Sequence, residues 1–113
     1  MIARRLTWAL AVLGVLLGLG HLGFLSAAPR WTLDVLWFAL SGLAFIVTAL
    51  LNVAALRAPA DRLVRALAAG SDLVLAGVFA AAWLVLPEPQ VIVGGVLFAS
   101  LAILTATLRA RSA

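Results

Sequence analysis

The stretch VLWFALSGLAFIVTALLNVAAL, Val35 to Leu56, contains no charged side chain, and its only polar residues are Ser41, Thr48 and Asn52. At about 1.5 Å of rise per residue, a helix of this length crosses the ~30 Å hydrocarbon core of a bilayer. Lipid offers no partners for free backbone groups, so the run must be a helix and not an isolated strand. Three similar runs flank it. Leu6 to Ala28 carries no formal charge, and His21 is its only readily titratable side chain. Ala66 to Leu86 is interrupted by Asp72, and Val91 to Leu108 is again uncharged. The sequence therefore predicts one integral membrane domain, residues 1–113, with helices at about 6–28, 33–56, 62–86 and 89–108.

Composition points the same way. Hydrophobic residues make up 66% of the chain and charged residues 11%, whereas a soluble domain carries about 25% charge. The lipid bilayer is thus the first partner implied. The net charge of +4 does not indicate nucleic acid, because the basic residues sit at the ends of apolar runs and form no patch with interleaved aromatics. The chain has no cysteine, which excludes disulfides, thiol catalysis, Cys-ligated zinc and iron–sulfur clusters.

The connections are short and rich in proline: Pro29-Arg30-Trp31, Ala58-Pro59-Ala60-Asp61 and Pro87-Glu88-Pro89-Gln90. Proline lacks an N–H and restricts its predecessor, so it punctuates helices. Thr32, Asp34 and Glu88 lie at helix starts, where the dipole favours oxygen acceptors and anions. Short links predict an up-down antiparallel bundle. Seven of the eight arginines fall on one side of it: Arg4 and Arg5, then Arg57, Arg62 and Arg65, then Arg109 and Arg111; Arg30 is the exception. By the positive-inside rule that side is the cytoplasm, so a multi-pass protein of the inner membrane with both termini cytoplasmic is expected. Trp8, Trp31 and Trp83 lie near run ends, as interfacial anchors do. Arg4-Arg5 and Ser26-Ala27-Ala28 together resemble a cleavable leader, but the apolar stretch is longer than the usual leader core and Pro29 follows the would-be cut, so a retained span is expected.

The polar residues inside the spans are the candidate functional ones. Asp72 lies about ten residues into the third helix, ~15 Å deep and near the midplane. An ionised carboxylate there costs at least ~2.5–3.5 kcal/mol, so it should face protein or water. Ala68, Asp72, Ala76 and Ala80 form one stripe, and small residues on such a stripe let a neighbouring helix approach. Ser41, Phe45, Thr48, Asn52 and Ala55 form a second, and Ala11, Gly14, Gly18 and His21 a third, with Gly14 and Gly18 as a GxxxG pair. Helix 4 has Gly94, Gly95 and Ser100. Counting from the arginines places Thr48 and Ser100 at the depth of Asp72, which suggests one polar layer, while His21 and Ser41 suggest a second, outer one. Asp72, Thr48, Ser100, Asn52 and His21 are therefore the candidate proton or ligand residues, and Gly14, Gly18, Ala68, Ala76 and Ala80 the candidate packing residues.

Enzyme signatures are missing. There is no H-E-x-x-H, no nucleophile elbow, no phosphate-cradling Gly loop and no second intramembrane acid. A single histidine is a single ligand, so no metal or cofactor is expected, although a homo-oligomer would supply a second His21 by symmetry. Through Gly20-His21, Leu36-Trp37-Phe38-Ala39-Leu40-Ser41-Gly42-Leu43, Asn52 and Leu86-Pro87-Glu88-Pro89-Gln90, the chain resembles a loose class of small four-span bacterial membrane proteins of uncharacterised activity. That resemblance spans the whole chain and implies no activity. Size and span count also resemble the small multidrug resistance transporters, which use a Glu in the middle of helix 1; this chain has no acid there. Two functions are thus expected to compete. One is a non-enzymatic packing or accessory protein acting through helix–helix contacts, in a homo-oligomer or a larger membrane complex. The other is a proton-coupled transporter or channel that uses Asp72.

Overall fold

The computed structural model describes residues 2–108, which fold into four helices, α1 (Ile2–Ala27), α2 (Leu33–Arg57), α3 (Arg62–Ala82) and α4 (Pro89–Ala106). There is no strand among the described residues. All four helices are long and apolar enough to cross a membrane. Arg109 and Arg111 lie outside the described residues.

The helix ends follow local chemistry. α1 begins ahead of its apolar run, because Arg4 and Arg5 are good helix formers. The side chain of Thr32 accepts a bond from the Val35 N–H (3.4 Å) at the start of α2. Asp61 caps α3 more firmly, its Oδ1 accepting from the Leu63 and Val64 N–H groups at 3.0 and 3.1 Å. Glu88 occupies the N-cap of α4 without a side-chain capping bond, and Pro89 follows it. α3 ends at Ala82, four residues before the end of its apolar run. Pro87 disfavours helical geometry at Leu86, and the chain tightens into a turn in which the Leu84 N–H bonds the Ala81 carbonyl (3.1 Å) and the Leu86 N–H bonds that of Ala82 (2.7 Å).

The helices pack as two pairs, α1 with α2 and α3 with α4, joined mainly where α2 meets α3; α1 and α3 stay apart. The α1–α2 seam is made of small residues. A Cβ built on Gly42 would lie 2.6 Å from the Gly18 carbonyl oxygen and 2.6 Å from the Cβ of His21, so only glycine fits. One turn away, Gly14 faces the Cβ of Ala49. The α3–α4 seam works differently: the ring of Phe79 occupies the space a side chain at Gly94 would need. Between the pairs, Phe45 of α2 packs on Phe79 and Phe98, with ring centroids 5.3 and 5.4 Å apart. Large apolar side chains such as Leu13, Leu16, Val47, Leu50, Val74 and Ile103 stand exposed around the bundle. Exposed apolar area on this scale calls for lipid or protein cover.

Candidate functional site

The polar centre of the molecule is built around Asn52. This side chain is fully buried near the C-terminal end of α2, as are Asp72 of α3 and Thr105 of α4. The Asn52 Nδ2 donates to Asp72 Oδ1 (2.8 Å) and to the backbone carbonyl of Thr48, one turn earlier (2.9 Å). Its Oδ1 accepts from the Thr105 hydroxyl. A carbonyl can only accept, so the Thr48 oxygen fixes which end of the amide faces it. Asn52 thereby ties three helices with one planar group. Among the described residues, the side-chain hydrogen bonds that join the α1–α2 pair to the α3–α4 pair both run through this amide. Asp72 uses only one oxygen; its Oδ2 is buried and has no hydrogen-bond partner.

Two arginines fasten the pairs internally. Arg4 of α1 donates through Nη2 to the Leu56 carbonyl at the end of α2 (2.8 Å). Arg65 of α3 donates through Nη1 to the Leu108 carbonyl just past α4. Each cation satisfies a carbonyl that the end of a helix leaves unpaired and sits at the negative end of the helix dipole. Thr7, fully buried beneath Arg4, returns its hydroxyl proton to the Ala3 carbonyl (2.7 Å).

His21 belongs to a second site. It lines a cavity of about 360 Å³ together with Ser41, Gln90 and the rings of Phe38, Phe45 and Phe79. Its ring stacks on Phe38 (centroids 4.1 Å apart) and meets Phe45 edge-on (5.0 Å). The Nδ1 lies 2.8 Å from the Leu17 carbonyl. That oxygen is an acceptor, so Nδ1 carries the hydrogen, and in the neutral form of the ring the lone pair is at Nε2. Ser41 donates its own proton to the Trp37 carbonyl (3.0 Å).

The structure thus brings together Asp72 and Asn52, with Thr48 contributing its backbone oxygen. It does not bring Ser100, which is half-buried and outside the cluster; Thr105 takes the place in the polar layer that the sequence suggested for Ser100. His21 and Ser41, suggested as an outer layer, line one cavity. Of the packing residues, Gly14, Gly18 and Ala68 are buried, Ala76 is half-buried and Ala80 is exposed. Steps of four residues drift about 40° per turn, so the inward face of α3 passes from Asp72 to Leu75 and Phe79 and leaves Ala80 behind. Among the described residues, no group of three or more His, Cys, Asp or Glu side chains is placed to hold a metal ion. No family model, curated protein or solved structure matches the chain.

Proposed function

We propose that this protein is a non-enzymatic, four-span protein of the inner membrane with both termini cytoplasmic, acting through helix–helix contacts as a packing or accessory subunit in a homo-oligomer or larger complex. The observation that carries the reading is the burial of the polar centre: Asp72, Asn52 and Thr105 are all fully buried, and the Asn52 amide bonds both of the other two. Chemistry or transport needs such groups to meet water or a ligand. Here they act as joinery, and the large apolar residues lie on the outside, where a membrane partner meets them. The up-down topology is supported by the short links and by the seam, where Gly14 meets Ala49 and Gly18 meets Gly42, so that numbers rise on one helix as they fall on the other.

The absence of cysteine makes the topology directly testable. Single cysteines placed by Ala60→Cys and Glu88→Cys should react with a membrane-impermeant maleimide from opposite sides, the first only after the cytoplasmic face is opened. Reaction of both in intact cells sinks the topology. For the function, Asp72→Asn should leave the assembly and its partners unchanged, because the amide still bonds Asn52; loss of the assembly with the fold intact would contradict the reading.

A second reading rests on one atom, the unpartnered Oδ2 of Asp72. A buried carboxylate oxygen without a partner is a feature of proton and cation paths as well as of structural joints. On that reading the protein is a proton-coupled transporter or channel, and reconstituted vesicles should show a pH-driven flux that Asp72→Asn abolishes without loss of folding. Vesicles that carry no such flux dispose of it.

A further inference from the structure

The cavity beside His21 has the size and lining of a small-molecule site. Its volume of about 360 Å³ falls within the ~300–1,000 Å³ typical of such sites, which combine apolar and aromatic walls with a few placed polar groups. Phe38, Phe45 and Phe79 supply the aromatic walls, and His21, Ser41 and Gln90 the polar points. The hydrogen-bonding capacity of those points is lopsided. The His21 Nδ1–H is taken by the Leu17 carbonyl, which leaves Nε2 as an acceptor. The Ser41 proton is taken by the Trp37 carbonyl, which leaves lone pairs on Oγ. Gln90 directs an N–H to Glu88, which leaves its Oε1 free to accept. None of the lining residues carries a formal charge.

We propose that this cavity binds a neutral hydroxylated aromatic molecule of the phenol class, with its ring between the phenylalanines and its O–H donated to Nε2 of His21. The lining argues against the alternatives. A carboxylate would face acceptors with no cation to balance it, and an ammonium would find the nearby Glu88 carboxylate outside the lining and already bonded to Gln90. A bare hydrocarbon or a lipid acyl chain would cover the half-buried His21 Nε2 and leave it unpaired, which is unfavourable. A phenolic O–H satisfies the His21 Nε2, and its ring makes offset or edge contacts with the walls.

The test compares two probes of nearly equal shape, 4-butylphenol and its methyl ether, 4-butylanisole, against the intact protein in lipid nanodiscs, with empty nanodiscs correcting for partition into lipid. His21 is the only histidine, so ¹⁵N-histidine labelling gives one reporter. The phenol should bind saturably and roughly tenfold more tightly than the ether, the difference of one buried hydrogen bond. It should also move the Nε2 resonance, which the ether leaves in place. His21→Phe should erase the preference while still admitting both rings. Equal binding of the two probes, no saturable binding by either, or a phenol that binds without moving Nε2 would each overturn the proposal. The resonance readout uses the unaltered protein and so does not depend on the variant folding.

Discussion

The two helix pairs solve the same problem by opposite means. In α1–α2 the close approach is backbone on backbone, with Gly18 and Gly42 opposed and His21 beside them. In α3–α4 a whole aromatic ring, Phe79, is laid over Gly94. At Gly42 the first seam has little that can give way, because the Gly18 carbonyl oxygen and the His21 Cβ it meets are fixed by the helix. The second has a side chain that can turn. Lipid supplies no hydrophobic drive between helices, so both seams depend on fit, and they should differ sharply in their tolerance of added atoms.

The largest effect is expected at the rigid seam. Gly42→Leu should cost about 3 kcal/mol or more, the upper range of overpacking, and separate α1 from α2; denaturant unfolding in micelles measures it, and a loss below that of Gly94→Ala would break the contrast. Next comes the joint between the pairs. Asn52→Ala should cost roughly 2–3 kcal/mol, because it strands buried groups on Asp72 and Thr105 together. Asp72→Ala should cost less than Asn52→Ala, since it removes one bond and also removes the unpartnered oxygen; the same unfolding assay ranks the two. At the adaptable seam, Gly94→Ala should cost about 1–2 kcal/mol, and Phe79→Leu should relieve part of that cost, a non-additivity that a double-mutant cycle reads directly. Smallest of all, Gly77→Ala meets nothing within 4 Å, and should be neutral or stabilise by up to about 1 kcal/mol through helix propensity.

The spans were legible because lipid imposes one rule on every residue of a crossing segment: apolar side chains and closed backbone bonds. The inward stripes of α1 and α2 were legible too, down to Gly14, Gly18, Phe45 and Asn52. The centring of the polar layer on Asn52, and its member on α4, were not. Depth counted from the terminal arginines favoured Ser100, but a hydrogen bond also needs the right azimuth. Thr105 lies five residues on, about 140° around the helix. It continues the buried series Leu97 and Leu101 at four-residue steps, and that continuity was the available signal. Nor could spacing show that Arg4 and Arg65 reach carbonyls 52 and 43 residues away, since this depends on how two helix ends come level. The cavity at His21 was half legible: the sequence put His21 and Ser41 at one level, while Phe79 and Gln90 arrive from distant turns.

The position of the joint also dictates an order of manufacture. The bond from Thr105 to Asn52 spans 53 residues and that from Asn52 to Asp72 spans 20, so during synthesis the Asn52 amide gains its Asp72 partner first and its Thr105 partner only with α4. The α1–α2 pair can lock through Arg4 as soon as it emerges, α3 can join it through Asp72, and the joint closes only with the last helix. A ribosome that stalls before α4 therefore leaves an identifiable partial product: three helices in which the Asn52 Oδ1 is unmet, a ready handle for whatever quality control inspects unfinished membrane proteins.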